Sequence, residues 1–341
     1  MKKTIVIMNY CRDINQLFRL GHMTLGHLKK LSTKSRYIIK EEVNEMLENR
    51  ISEESTPPWS APVVIVYKKD GGKRFCVYYR GLNAVTKKDV YPLPRPDDIL
   101  ESLNDAKYFS HFDLLKGYWQ VNMDNASKEK MAFSTPDGHY QFRKLPFGLT
   151  NSPSTFQRDM DIILKGLVWT DCLVYLDDII IFASSLKEHK ERMKRILIRF
   201  EEAEVKIKPS KCELLPVMMR VLGHAILTEG LEVDASTVEI IQKWPTPSNI
   251  SELRSFLGHA GYYQRFIPMY SEITAPLEKK NSVFNWNSNC TKAFKIIKDK
   301  LCSAPVLAFP RYQLRSLSTL MRAIMDWVLR YHNYKREKRG L

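Results

Sequence analysis

The chain has 341 residues, with 53 lysines and arginines against 38 acids and a formal charge of +15. Its 44% hydrophobic content supports folded cores and excludes disorder throughout, and its length exceeds one ordinary core, so two or three subdomains are expected. So large a positive excess points to a polyanionic partner, most often nucleic acid. The six cysteines are scattered, with no Cys-x-x-Cys pair and no histidine at zinc spacing, as in a reduced intracellular protein. No run is long and apolar enough to span a bilayer, so no membrane partner is expected.

Residues up to Tyr37 have no clear period and end in a basic run, Lys29-Lys30 to Lys34. From Ile38 to Leu47 the apolar positions Ile38, Ile39, Val43, Met46 and Leu47 predict a short amphipathic helix. Val63–Tyr67 and Phe75–Tyr79 flank Asp70-Gly71-Gly72 and predict a hairpin. Lys68, Lys69, Lys73 and Arg74 crowd its tip; they suit a solvated end or a triphosphate. Tyr91-Pro92-Leu93-Pro94-Arg95-Pro96 reads as a rigid strap. Phe109 to Val121 carries a strand with Asp113, and Ser134–Gly138 is a turn. Ser152 as N-cap with Pro153 behind it opens a helix, its apolar face made by Phe156, Met160, Ile163, Leu164 and Leu167.

Next comes Tyr175-Leu176-Asp177-Asp178, between the apolar runs Cys172–Val174 and Ile179–Ala183. A tight hairpin there puts two carboxylates at its tip. Buried acids are costly unless paired or metal-bound. With Asp113 they make a three-aspartate cage suited to two magnesium ions, the apparatus of nucleotidyl transfer. An isolated Asp-Asp at a turn is more often plain turn chemistry; the isoleucine-rich flanks weigh against that.

A longer helix runs from Leu186 to Ala203 with Met193, Ile196, Leu197 and Phe200 inward, and Val205–Lys208 alternates like a half-exposed strand. Val221 to Gly230 predicts another hairpin. Asn249 with Glu252 is a capping pair, opening a helix with Ile250, Leu253, Phe256, Leu257 and Ala260 on one side. Tyr262, Tyr263 and Phe266 lie near Arg254 and Arg265, either as a duplex-tracking cluster or as core aromatics with solvated arginines. The element order suits an α+β fold, an antiparallel sheet with helices on one face.

In this order the motifs Trp59-Ser60-Ala61-Pro62-Val63-Val64, Lys68-Lys69-Asp70-Gly71, Tyr91-Pro92-Leu93-Pro94, Phe112-Asp113-Leu114 with Gly117-Tyr118, Pro146-Phe147-Gly148-Leu149 to Phe156-Gln157, Tyr175-Leu176-Asp177-Asp178, Leu222-Gly223-His224 and Leu253–Gly258 with Tyr262-Tyr263 resemble a Ty3/gypsy-type retrotransposon reverse transcriptase. The resemblance runs from about Ile38 to Pro310. It implies a right-hand polymerase: fingers and palm over 38–233, thumb over 234–280, and the start of a connection or ribonuclease H-like region over 281–310. The leader 1–37 and the basic tail 311–341, expected as an amphipathic helix, do not match it.

The resemblance implies an RNA-directed DNA polymerase acting on a primed RNA or DNA template with deoxynucleoside triphosphates and two Mg2+ ions. Asp113, Asp177 and Asp178 would hold the metal. Lys68, Lys69 and Arg74 would meet the triphosphate, Tyr118 would gate the sugar, and Phe147 would pack by the nucleotide. Arg80, Gln157, Tyr175, Gly223 and His224 would serve template and primer. Work in the cytoplasm, in virus-like particles or in the nucleus is expected. The match stops near Phe309-Pro310, so ribonuclease H activity is not expected. Tyr78 replaces a usual aspartate and Lys116 a usual serine, which leaves a decayed remnant that only binds nucleic acid as the alternative. An RNA-dependent RNA polymerase is disfavoured by Tyr118.

Overall fold

The computed structural model describes residues 32–56, 58–67, 71–103, 106–227, 230–278 and 284–303. Lys68 and Lys69, most of the leader and the expected basic tail lie outside the described residues. The chain forms two compact units, one from residues up to Arg95 and Lys107–Pro216, the other from Pro96–Ala106 and Val217 onward. The class is α+β, as expected. Among the described residues no helix is long and apolar enough to cross a membrane.

In the first unit, Ser32 caps a helix over Thr33–Glu48 that buries Ile38, Ile39, Val43 and Met46. It starts ahead of its first apolar residue because the capping hydroxyl, accepting from Ser35 N–H, sets the boundary. Strands β1 (Ser52–Glu54), β2 (Ala61–Tyr67), β3 (Lys73–Val77), β5 (Phe133–Thr135) and β6 (Gly138–Phe142) form one sheet in the order β1-β6-β5-β2-β3. The expected β2–β3 hairpin is present. One pairing, β2 with β5, is parallel, so this sheet is not antiparallel throughout.

The second sheet of this unit is antiparallel: β4 (Tyr108–Asp113), β7 (Cys172–Tyr175), β8 (Asp178–Ala183) and β9 (Glu213–Leu214), ordered β7-β8-β4-β9. Every residue of β8 after Asp178 is buried. Burying each such isoleucine contributes about 1.5–3 kcal/mol, so the register of β8 against β4 is strongly held. The Ser152–Ile163 helix packs on β7, and the Leu186–Glu202 helix on β8 and β4.

Several local expectations are corrected. Ser152 is the first helical residue, and Asn151 stands at the cap without a capping bond, its amide bonded to Asp89 N–H and Lys87 O instead; the Ser152 hydroxyl donates to Pro146 O at 2.8 Å. Leu197, expected inward, is exposed, and the fully buried His189 joins Ile196 and Phe200 on that face. The Val205–Lys208 alternation does not make a strand: Ile207 only bridges Leu114. Two backbone bonds flank that bridge, Leu115 N–H to Lys206 O at 2.9 Å and Lys208 N–H to Asp113 O at 2.8 Å; the pairing goes no further because the Gln120 amide takes Lys206 N–H at 2.7 Å, and it also donates to Lys206 O at 2.8 Å.

The second unit holds a three-stranded meander, β10 (Met218–Val221), β11 (His224–Leu227) and β12 (Gly230–Val233), rather than a lone hairpin. The β10–β11 turn is Leu222-Gly223, with φ of 49° and 71°, the left-handed pair of a type I′ turn. Helices over Ala235–Gln242 and Ser288–Cys302 pack together, and the ring of Phe256, on the Ile250–Tyr262 helix, packs tilted 4.5 Å from that of Phe294. Ile250, expected inward, is exposed. Asn249 caps that helix, accepting from Glu252 N–H at 2.9 Å and donating to Glu252 Oε1 at 2.8 Å. Asn249→Ala is expected to lower stability by about 1 kcal/mol in urea unfolding, and an unchanged midpoint would contradict the capping role.

Candidate active site

Strand pairing brings the aspartates together. Asp113 ends β4 and is the register partner of Asp178, the first residue of β8. Tyr175 and Asp178 close the β7–β8 hairpin, leaving Leu176-Asp177 as its turn. Leu176 has φ 55°, the left-handed conformation that a two-residue turn demands and leucine rarely adopts. Three acids thus sit at the ends of two paired strands, as the sequence predicts.

Their environments differ. Asp178 accepts from His111 Nε2 at 2.9 Å. Asp113 lies 3.3 Å from the Lys211 ammonium. Asp177 Oδ1 is buried without a hydrogen-bond partner. Burial, then the negative charges of Asp178 and Asp113, push its carboxyl up to about 6; Lys211 pulls the other way. Among the described residues no set of three or more histidine, cysteine or acidic side chains is arranged to enclose a metal. Asp178 and Asp113 are turned toward His111 and Lys211, while Asp177 presents an uncompensated oxygen of the hard kind that magnesium takes.

Gly117 is a spatial requirement of this site. A Cβ there would stand 2.5 Å from Asp177 Oδ1 and 3.0 Å from the Phe156 ring. Tyr118 lies on a short 3-10 turn over Gly117–Gln120, not on the expected strand. Its ring packs 4.8 Å from Phe147 and 5.2 Å from Phe156. Burial, with the Asp177 charge behind it, pushes its hydroxyl up to about 12. Phe147 is half exposed, on a loop pinned by Asn83, which donates to Gly148 O at 2.8 Å and accepts from Thr150 N–H at 2.9 Å.

Gln157, expected at the template, is fully buried with both ends of its amide occupied: the nitrogen donates to Val174 O and Asp161, and the oxygen accepts from Leu176 N–H. Tyr175 stays half-buried beside the turn. Arg74 is exposed on β3, and Arg80 lies 5.1 Å over the Tyr78 ring; among the described contacts neither touches the aspartates. Gly223 and His224 belong to the second unit. His224 is buried among Tyr262, Tyr263 and Phe266, and burial pushes its imidazole below the usual histidine range. Tyr263 and Phe266 are buried, so part of the aromatic-basic cluster is core, while Arg265 pairs with Asp97 at the surface. Lys116 turns to Glu45 at 2.7 Å and lies 4.6 Å over Trp119.

Sequence reading missed His111 and Lys211. His111 sits two residues before Asp113 on one strand, hence on the same face, a signal that was available. Lys211 stands in an ordinary basic loop that gave none.

Residues 66–226 match the family model described as reverse transcriptase (RNA-dependent DNA polymerase). Over 290 residues, 82% of this chain, it is 38% identical to the retrovirus-related Pol polyprotein from transposon 297 of Drosophila melanogaster. The chain belongs to the Ty3/gypsy-type reverse transcriptases. It is also 32% identical over 272 residues to the transposon Tf2-3 polyprotein of Schizosaccharomyces pombe. This reverse transcriptase spans 27% and 20% of those two relatives, against 82% and 79% of its own length. Its fold matches the foamy viral protease–reverse transcriptase bound to double-stranded DNA, with TM-score 0.74 and 26% identity over 81% of this chain and 50% of that one. The same viral protein bound to an RNA/DNA hybrid matches with TM-score 0.70 and 26% identity over 82% and 38%.

The raised Asp177 carboxyl gives a metal-free prediction. Its folded value, about 6, lies above the ordinary 3.8, so the charge opposes folding fully above pH 6 and not at all well below pH 4. Asp177→Asn is therefore expected to be more stable than the parent in urea with EDTA at pH 8. The gap should close as pH falls from about 6 to about 4. A gap independent of pH would contradict the assignment.

Proposed function

We propose that this reverse transcriptase extends a primer 3′ end with deoxynucleotides on an RNA or DNA template, with Asp113, Asp177 and Asp178 holding two magnesium ions. The observation that carries the reading is the cross-strand pairing of Asp113 with Asp178, with the orphaned Asp177 oxygen between two like charges. When bound, the ions supply charge neutralisation at the reacting phosphate and activation of the primer hydroxyl. The chain's own residues position and exclude. The buried isoleucines of β8 fix where the carboxylates stand. Tyr118, backed by Phe147 and Phe156 and kept protonated, presents a fixed ring beside Asp177 that would oppose a ribose 2′-hydroxyl. The net charge of +15 supplies attraction for a phosphate backbone.

The foamy viral enzyme's complexes with DNA and with an RNA/DNA hybrid support the nucleic-acid partner. Lys116 is engaged by Glu45 and Trp119, which weakens the remnant reading drawn from its bulk. Lys68, Lys69 and Arg74 at the triphosphate, and Arg80 at the template, remain part of the proposal.

Primer extension on RNA with magnesium tests it. The parent should extend and Asp177→Asn should not; no extension by a folded, duplex-binding parent would favour the remnant. Gly117→Ala should slow incorporation by about 10²-fold, because its Cβ must displace the Asp177 carboxylate. Tyr118→Ala should raise ribonucleotide use relative to deoxynucleotide; an unchanged ratio would remove the gate assignment.

A further inference from the structure

Three side chains join the Tyr91-Pro92-Leu93-Pro94 strap to the Asp177 turn. Tyr91 Oη donates to Asp161 Oδ2 at 2.6 Å. Asp161 Oδ1 accepts from Gln157 Nε2 at 3.2 Å, and the same nitrogen donates to Val174 O at 3.1 Å. Gln157 Oε1 accepts from Leu176 N–H at 2.9 Å. A flipped amide would set oxygen against a carboxylate and a carbonyl, and nitrogen against an N–H. Asp161 therefore fixes the sense in which Gln157 faces the turn.

Each end of this relay is held. Gln157 is fully enclosed, so no bulk water replaces a lost partner. Leu176, the residue it grips, has the left-handed backbone that places Asp177. At the other end Tyr91 N–H donates to Asp89 Oδ1 at 3.0 Å, Arg158 bonds Asp89 Oδ2 at 2.6 Å, and its guanidinium lies 4.6 Å over the Tyr91 ring. Burial and the Asp161 carboxylate push the Tyr91 hydroxyl up to about 12, so it remains a donor at any working pH.

We propose that Gln157 is a positioning residue that sets the Asp177 carboxylate through the Leu176 amide, and that Tyr91 and Asp161 fix its orientation. The strap is thereby a support of the metal turn, and the template contact expected of Gln157 gives way to this role. The proposal rests on the polymerase reading above.

The test uses the full chain as parent, Tyr91→Phe, Gln157→Leu and the double variant. Steady-state incorporation gives kcat and KM for a deoxynucleotide, anisotropy gives duplex Kd, and hydrogen exchange by mass spectrometry follows peptides over Tyr175–Asp178. Gln157→Leu should lower kcat by about 10²-fold, with KM and Kd nearly unchanged. Tyr91→Phe should lower kcat by less, and the double variant should be no worse than Gln157→Leu, since the relay is already cut. Exchange at the turn should quicken in every variant. Losses that multiply, or weaker duplex binding with kcat unchanged, would overturn the proposal. Should Gln157→Leu fail to fold, Tyr91→Phe decides through kcat and exchange together. If the parent extends no primer, the polymerase reading has failed; the relay is then judged by exchange alone, faster turn exchange supporting it and unchanged exchange overturning it.

Discussion

Electrostatic repulsion among three carboxylates governs the rest of this molecule. Asp113 and Asp178 face each other across a strand pair, and Asp177 sits one residue away with a buried, unpartnered oxygen. Left alone, such a cluster would splay or protonate. It is held by what lies behind it: the isoleucine-rich β8, buried along its length, and the helices over 152–163 and 186–202 packed on the sheet. The residual conflict shows in Asp177, whose carboxyl stands near 6. His111 and Lys211 relieve the other two acids, each by a single contact.

The same constraint explains small details nearby. Gly117 has no side chain because the Asp177 oxygen already occupies that space. Lys116, left-handed at φ 47°, swings its ammonium to Glu45 and Trp119. Gln157 commits both amide hydrogens and its oxygen to β7, Asp161 and the turn. Gln157 is a polar group accepted inside a core because both ends of its amide have partners with matching geometry.

Much of this was legible in the residues. Apolar runs on both sides of Asp177-Asp178 dictated a hairpin, and Asn249 with Glu252 marked a helix start that the structure reproduces. What stayed hidden depends on tertiary context. The Val205–Lys208 alternation is genuine, yet the segment stops at a single bridge, because Gln120, far away in sequence, takes the Lys206 N–H that a longer strand would have paired. A glutamine after Phe156 reads the same whether it faces solvent or core; only the packing on β7 decides. Ser152 looks like a cap until Pro146 O claims its hydroxyl. The family resemblance named the acids, while their unequal surroundings came from the fold.

If the cluster is a cation site built on an unsatisfied Asp177, metal binding must expel the proton that Asp177 holds near pH 6. The direct measurement is proton release on adding Mg2+ at pH 6 to the protein with a primer–template duplex, beside Asp177→Asn. The account predicts release from the parent that shrinks as pH rises to 8 and is absent from the variant. Equal release from both proteins, or none from either while Mg2+ binds, would contradict it.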